Sequence, residues 1–534
     1  MTAMPGVGDG FDRIPDHLAE SYRAAGYWTR TSLGGLLRGA ASRWPGRPVL
    51  HTGDGVRTYR ELDTDADRMA HGLLASGVAP GDRVVVQLPN VAEFVVVLFG
   101  LLRAGAIPVL TLPAHRRTEI MHFAELSGAT AYITADRIRD FDYRELATEV
   151  VDAVPSVRQV LVLGDPGPFR ALSSVPCEGN SLPEPNPGEL ALLLVSGGTT
   201  GLPKLIPRTH EDYSYNARAS AEVCGCGPDD VYLATLPVAH NFPLACPGIL
   251  GTIATGGSIA FTAAASPDAA FSAIERHRVT LTAVVPQLAQ LWCAATEWEN
   301  ADLSSLRLLQ VGGAKLAETN ARAIRPALGA QLQQVFGMAE GLLNFTRLDD
   351  DDEIVSTTQG RPLSPADEIR VVDADGNDVA PGEQGELLTR GPYTIRGYYR
   401  APQHNSNAFT PDGYYRSGDL VRRLPSGHLV VCGRIKDVIS RGGENISCAE
   451  LEEHLLAYPG IRHAAAVGVP HGQGEKVCAV VVVDGETPTL ADLRGFLIDR
   501  GLASFKLPDM IRKVTSLPVT AVGKIDRKAL RIQH

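Results

Sequence analysis

An α/β fold followed by a smaller α+β unit is the class this sequence predicts, on three observations. Apolar, strand-like runs alternate with helical stretches: residues 83–88, 92–103 and 107–112 first, then 279–285 and 306–311 farther along. Strands buried on both faces and separated by helices produce this pattern. The character then changes after Gly433, where turn residues give way to a helix–strand–strand–helix succession. With 534 residues and 44% hydrophobic content, the chain can bury cores for several domains.

The elements follow in chain order. Asp9, Asp12, Arg13 and Asp16 open the chain without an apolar segment, so no secretory signal is expected. Residues 94–112 are the most apolar stretch, about as long as a membrane span, but Arg103, Gly105 and Pro108 interrupt it. A helix started by Asn90, stopped near Gly105 and followed by a strand over 107–112 fits better, and no membrane contact is expected. The acidic run 349–353 reads as a solvated turn, with a metal role as the lesser alternative. Beyond Gly433, Ser447-Cys-Ala-Glu450 has the spacing of a capping box and opens a helix over 449–457. Strands over 464–469 and 477–483 follow, then a helix over 490–500 opened by Thr489. These boundaries divide the chain into an N-terminal domain over 1–433, a junction at 434–436 and a C-terminal domain over 437–534. The last is about 100 residues, enough to fold alone.

Composition excludes several classes. A net charge of −11 argues against a nucleic-acid surface. Of the 8 cysteines, only Cys224 and Cys226 lie close, and no second pair stands at zinc spacing. Free thiols in a reducing cytoplasm are the expectation.

The chemistry-bearing residues begin with Ser196-Gly-Gly-Thr-Thr-Gly-Leu-Pro-Lys204, fed by an apolar strand over 192–195. Glycines with threonine hydroxyls form a backbone nest able to wrap a polyphosphate. It is not a Walker A loop, because Lys204 follows Pro203 and no Ser or Thr succeeds it. Farther on stand Phe336-Gly-Met-Ala-Glu340-Gly, Tyr415-Arg-Ser-Gly-Asp419, Gly433-Arg-Ile-Lys436-Asp437, Gly442-Gly-Glu-Asn and Gly523-Lys524-Ile-Asp526. In isolation Asp419 reads as an Asx-turn, Lys524 as a solvated charge and Glu340 as a helix cap.

Taken together and in order, these motifs resemble the core motifs of the adenylate-forming superfamily: acyl-CoA synthetases, luciferases and peptide-synthetase adenylation domains. The resemblance runs from Thr58-Tyr-Arg-Glu-Leu62 to Lys524. It implies a large N-terminal adenylate-forming domain of layered sheets and helices and a small mobile α+β C-terminal domain. The implied reaction is attack of a carboxylate on the α-phosphorus of ATP with loss of pyrophosphate. The nucleophile is already ionised, so the barrier is mainly repulsion between anions, lowered by alignment and by cations around the phosphates.

By the same resemblance, Ser196, Gly197, Gly198, Thr199, Thr200 and Lys204 bind the phosphates. Gly312, Gly313, Ala314 and Lys315, with Val335, Phe336, Gly337 and Met338, bind the nucleotide. Asp419 takes the ribose hydroxyls with two acceptor oxygens, and Arg434 reaches ribose or phosphate. Glu340 supports Mg²⁺, Lys524 bridges carboxylate and α-phosphate, and His240 joins them as a catalytic residue. Lys436 holds the hinge position, where many relatives carry Asp.

The segment Ala239-His240-Asn241-Phe242-Pro243-Leu244 has Asn241 where amino-acid-activating domains carry an Asp for the substrate ammonium. That resembles the free-standing aryl-acid ligases of siderophore assembly, as does Leu205-Ile-Pro-Arg-Thr-His210. Asn241, Phe242, Cys246, Gly313, Val335, Ala339 and Leu343 would line the aryl-acid site. Cys246 stands where dihydroxybenzoate ligases tend to have Ser. A cysteine behaves as a small hydrophobe, so salicylate is the expected acid, 2,3-dihydroxybenzoate the alternative. Loading of a separate phosphopantetheinylated aryl carrier protein is the expected second step, an aryl-CoA ligase the competing reading.

Overall fold

The computed structural model describes residues 10–53, 55–180, 182–196, 203–441, 444–471, 474–520 and 524–532. Packing divides the chain into two compact units. The first comprises Met1–Ser356, Pro362–Glu368 and Arg390–Tyr415; the second comprises Thr357–Arg361, Ile369–Thr389 and Arg416–His534.

The first unit is an α/β structure built on two large sheets. One has strands Leu205–Thr209, Leu190–Val195, Ile107–Leu110, Arg83–Gln87, Ala131–Ala135, Gln159–Leu163 and Arg170–Ala171 in that spatial order. Its pairings are parallel except that between Leu190–Val195 and Leu205–Thr209, the two strands that flank the 196–204 segment in sequence. The other sheet runs through Leu343–Phe345, Gln331–Gly337, Leu308–Gly312, Leu281–Val284, Val231–Ala234, Ser258–Phe261 and Pro48–Thr52. Its central pairings are parallel too, with Leu343–Phe345 antiparallel at one side.

Phe123, Tyr132 and Tyr143 pack on the first sheet, and Phe271, Trp292 and Ile324 on the second. Each such buried side chain contributes on the order of 1.5–3 kcal/mol. The helix Ala92–Arg103 and the strand Ile107–Leu110 stand where the sequence predicts them. Asn90, however, does not cap that helix. Val91 is the N-cap, and the Asn90 amide donates to the carbonyls of Ala234 and Leu236 while accepting from Val238 N–H. Backbone groups beyond the end of strand Val231–Ala234 need partners, and satisfying them holds the segment that leads to His240. The acidic run is a turn only in part. Asp350 and Asp351 accept local backbone N–H groups, and Asp352–Thr357 is helical.

The second unit contains an antiparallel pair, residues 416–423 with Leu429–Arg434, inside a four-stranded sheet. It continues into the hairpin Val438–Arg441 with Glu444–Ser447 and the sheet of Ile461–His471, Gly474–Val483 and Met510–Lys513. Helices Cys448–Leu456 and Leu490–Asp499 cover a core that includes Leu451, Leu455, Ala479, Leu493 and Leu497. Ser447 and Thr489 cap them as the sequence predicts. Glu450 does not complete the box: its carboxylate binds Lys506 Nζ at 2.6 and 2.8 Å, an ion pair stronger than a bond to one N–H.

None of the cysteines is in a disulfide. Among the described residues no His, Cys, Asp and Glu cluster could hold a metal by itself, and no helix is long and apolar enough to cross a membrane.

Candidate active site

Gly197, Gly198, Thr199 and Thr200 lie outside the described residues, but the neck of their loop is described. Ser196 N–H donates to the Lys204 carbonyl at 2.9 Å, and Lys204 N–H donates to Ser196 Oγ at 2.8 Å. His122 binds the Pro203 carbonyl at 2.9 Å through Nε2. The strand after the loop leads into helix His210–Val223 through a complete capping box between Thr209 and Asp212. Arg208 on that strand is fully buried. Its Nε donates to Asp212 Oδ1 and its Nη1 to the Ala339 carbonyl, both at 2.9 Å.

Ala339 and Glu340 sit at the turn between strands Gln331–Gly337 and Leu343–Phe345. Met338 N–H to Leu342 O and Gly341 N–H to Met338 O close that turn, and Ile395 N–H donates to the Glu340 carbonyl. Glu340 is therefore not a helix cap. Its Oε1 accepts from Tyr398 O–H at 2.7 Å, and Lys204 Nζ lies 5.5 Å from the Tyr398 ring centroid. Burial pushes the Tyr398 phenol up, with the Glu340 charge acting in the same direction.

Gly312 ends strand Leu308–Gly312 directly beside Val335. A Cβ on Gly312 would lie 2.8 Å from the Val335 carbonyl and 3.0 Å from the Phe242 ring, so only glycine permits this approach. Gly313 follows with φ +85°, and Ala314 and Lys315 are exposed in the turn beyond it. Phe336 and Gly337 pair with Asn344 and Leu343, and Met338 opens the turn after them.

His240 caps the short helix Asn241–Ala245, its Nδ1 accepting from Phe242 N–H at 3.3 Å. With Nδ1 accepting, a neutral ring carries its proton on Nε2. Asn241, Phe242 and Cys246 are all buried. Asn241 Oδ1 accepts from Tyr213 O–H at 2.8 Å, and Asn241 Nδ2 lies 3.5 Å from Cys246 Sγ. Burial pushes the Cys246 thiol up to about 12, so it stays neutral.

Asp419, Arg434, Lys436 and Lys524 belong to the second unit. Asp419 is 5% exposed and pairs across the sheet with Arg434, whose Nε donates to Asp419 Oδ1 at 2.7 Å. Its backbone N–H donates to Ser417 Oγ, and Gly418 takes φ +70° to make that turn. Lys436 lies in a single 3-10 turn, Ile435–Asp437; its side chain is outside the described structure. Thr520 N–H donates to the Lys524 carbonyl, and Lys524 N–H donates to Thr520 Oγ1.

The first unit thus brings together the loop neck, the 336–340 turn, Gly312, and the Asn241–Ala245 helix with Cys246 after it. Sequence reading missed Arg208, Tyr213 and Tyr398, which tie these parts together. Arg208 falls in the segment 205–210 that carries part of the family resemblance, but nothing in the sequence marks it or Tyr213 as buried. Tyr398 carries no local signal.

Buried Asn241, Phe242 and Cys246, tied through helix His210–Val223 and its leading strand to the neck of the Gly- and Thr-rich segment and to the Glu340 turn, suit activation of an organic acid, and comparison with known proteins agrees. The model of the AMP-binding enzyme family matches residues 37–399, and that of the AMP-binding enzyme C-terminal domain matches 450–524. The chain is 55% identical over 530 residues to a salicyl-AMP ligase / salicyl-S-ArCP synthetase of Mycobacterium tuberculosis, covering 98% of this chain and 94% of that one. It is 50% identical over 523 residues to a 2,3-dihydroxybenzoate-AMP ligase of Bacillus subtilis, covering 98% and 97%. Among solved structures, apo MbtA of Mycobacterium smegmatis matches with TM-score 0.77 at 55% identity, over 98% of this chain and 99% of that one. With its loop, turn and pocket residues in the order the motifs require, this chain belongs to the AMP-binding enzyme family, the adenylate-forming enzymes.

Proposed function

We propose that the protein joins salicylate to ATP, giving salicyl-AMP and pyrophosphate, and then passes the salicyl group to a phosphopantetheine thiol. The acceptor in this reading is a separate aryl carrier protein of siderophore assembly, and the reaction is cytoplasmic. The salicyl-AMP ligase relative supports it. The observation that carries it is the Asn241 amide set against the neutral Cys246 thiol.

The carboxylate of the acid attacks the α-phosphorus, the new C–O–P linkage forms, and the bond to pyrophosphate breaks. Asn241 would meet the ortho-hydroxyl and Phe242 cover the ring, with Gly313, Val335, Ala339 and Leu343 completing the slot. Gly312–Lys315 and Val335–Met338 would flank the adenosine, and Asp419, oriented by Arg434, would hold the ribose. Thr199, Thr200, Lys204 and His240 would serve the phosphates, and Lys524 the attacking carboxylate. Glu340 fits Mg²⁺: Tyr398 occupies one carboxylate oxygen, and Mg²⁺ commonly uses one or two carboxylates plus substrate phosphates. Bound there, the ion would supply charge neutralisation at the phosphates. A domain over 437–534 turning about 434–436 would exchange Lys524 for the incoming thiol.

The alternative acid is 2,3-dihydroxybenzoate, favoured by the 50% identical relative. Its 3-hydroxyl would be buried beside Cys246, whose thiol already donates to the Asn241 carbonyl at 3.5 Å. An underpaired hydroxyl costs about 1–3 kcal/mol, roughly ten- to a hundredfold in selectivity.

The test is ATP–pyrophosphate exchange with salicylate, 2,3-dihydroxybenzoate, amino acids and fatty acids, on wild type and Cys246→Ser. Salicylate should be best in wild type, and the serine should narrow its lead. A preferred amino or fatty acid would refute the pocket assignment, and an unchanged preference would make Cys246 mere packing. Thioester formation with free CoA against the holo carrier separates the CoA-ligase reading.

A further inference from the structure

The hydrogen bonds behind the aryl slot have an order that bears on which ortho-substituent can enter. Tyr213 is fully buried, and its hydroxyl, 2.8 Å from Asn241 Oδ1, has no other described partner. Burial drives the phenol well up, so it remains a proton donor. On the other side of the amide, Asn241 Nδ2 faces Cys246 Sγ at 3.5 Å, and the thiol proton goes to the Asn241 carbonyl. Every donor in this chain meets an acceptor. Turning the amide over would let NH₂ donate to the Tyr213 oxygen but would take from the Tyr213 proton its one described acceptor, leaving that proton unpaired in a buried site.

We infer that Tyr213 is a specificity-determining residue, because its hydroxyl locks the Asn241 amide with the N–H side toward Cys246 and the aryl acid. This rests on the reading that Asn241 meets the ortho position of the ring. An amide nitrogen carries two hydrogens; Cys246 engages one, and the other is left for the substrate.

The consequence is a choice by polarity rather than size. The hydroxyl of salicylate gives its proton to the neighbouring carboxylate, so its oxygen offers a lone pair to the Asn241 N–H. The amino group of 2-aminobenzoate is nearly the same size but keeps an outward N–H after bonding its own carboxylate. Two N–H groups would then face each other. A site that demands an acceptor should reject such a substrate by about a hundredfold or more. Tyr213, which touches no substrate, would thereby set the class of acid accepted: ortho-oxygen, not ortho-nitrogen.

The experiment measures kcat/KM in ATP–pyrophosphate exchange for salicylate, 2-aminobenzoate and benzoate, on wild type and Tyr213→Phe. Phenylalanine keeps the ring that lies 4.9 Å from the Arg208 guanidinium and deletes only the hydroxyl. Benzoate has no ortho group and is the internal reference. Relative to benzoate, 2-aminobenzoate should rise about tenfold in the variant and salicylate should fall. If all three acids change by one common factor, Tyr213 only packs and the inference is wrong.

If thermal unfolding shows that Tyr213→Phe does not fold, Asn241→Asp decides. Tyr213 would donate to one carboxylate oxygen and the other would face the ring, so preference should reverse toward 2-aminobenzoate. Retained preference for salicylate in that variant overturns the inference. A wild-type enzyme that ignores all three aryl acids removes the premise, refuting the aryl-acid reading itself. Failure of the variants alone refutes only the role of Tyr213.

Discussion

Replacing Arg208 by methionine tests how the loop strand is tied to the 336–340 turn. The guanidinium is fully buried, with Nε on Asp212 and Nη1 on the Ala339 carbonyl. Methionine fills much of the space but leaves the Asp212 carboxylate, whose side chain is 8% exposed, without its cation. Stranding one member of a buried pair costs about 3–5 kcal/mol. Asp212 keeps two bonds from Thr209, to N–H and Oγ1, each at 3.0 Å. That retention points to the lower end, about 3 kcal/mol, including the lost bond to Ala339. Arg208→Lys keeps the charge but one ammonium cannot span both acceptors, so about 1.5–3 kcal/mol should go. Denaturant unfolding followed by intrinsic fluorescence measures both, and the KM for the aryl acid reports the shift of Ala339. The double variant Arg208→Met with Asp212→Leu should recover part of the loss, since it removes the stranded charge. Two results would refute the reasoning: a methionine variant within about 0.5 kcal/mol of wild type, or a double variant no more stable than the single one.

Two further outcomes follow from the same unit. Gly312→Ala places a methyl 2.8 Å from the Val335 carbonyl and 3.0 Å from Phe242. Overpacking of this kind costs about 1–3 kcal/mol, so the KM for the aryl acid should rise; unchanged KM and stability would show that the contact yields freely. Asp367 is half-buried and accepts from the Tyr393 hydroxyl, and loss of water around its carboxyl raises it from the ordinary 3.8 to about 7. The folded state then keeps a proton that the unfolded chain has released. Its contribution is complete below about pH 4, declines as pH rises, and is gone above about pH 7, a change of a few kcal/mol. Unfolding midpoints between pH 4.5 and 7.5 should fall with that sign in wild type and lose the slope in Asp367→Asn; an identical slope in both sinks the assignment.

Local chemistry decided what was legible in the sequence. Ser447 and Thr489 open helices because a hydroxyl on the residue before a helix satisfies an N–H that lies only a few positions on. The helix Ala92–Arg103 and its neighbouring strands follow from the spacing of apolar residues. Asn90 and Glu450 misled for one reason. Each has a local partner in reach, but a remote one binds better: the carbonyls of Ala234 and Leu236 for Asn90, the Lys506 ammonium for Glu450.

By itself the sequence determined the class of chemistry, since a Gly- and Thr-rich segment, a Glu-bearing motif and a late Gly-Lys pair in that order resemble one family of enzymes. It also named Asn241 and Cys246, because a missing carboxylate and a missing hydroxyl are visible as residue types. Only the tertiary structure decided what orients them. Tyr213 lies 28 positions from Asn241, Arg208 lies 131 from Ala339, and Tyr398 lies 58 from Glu340. Periodicity and capping rules reach about one helical turn. Hydrogen bonds between buried groups so far apart exist only once the sheets have packed and water has left, which makes an unpaired donor costly enough to select a single partner.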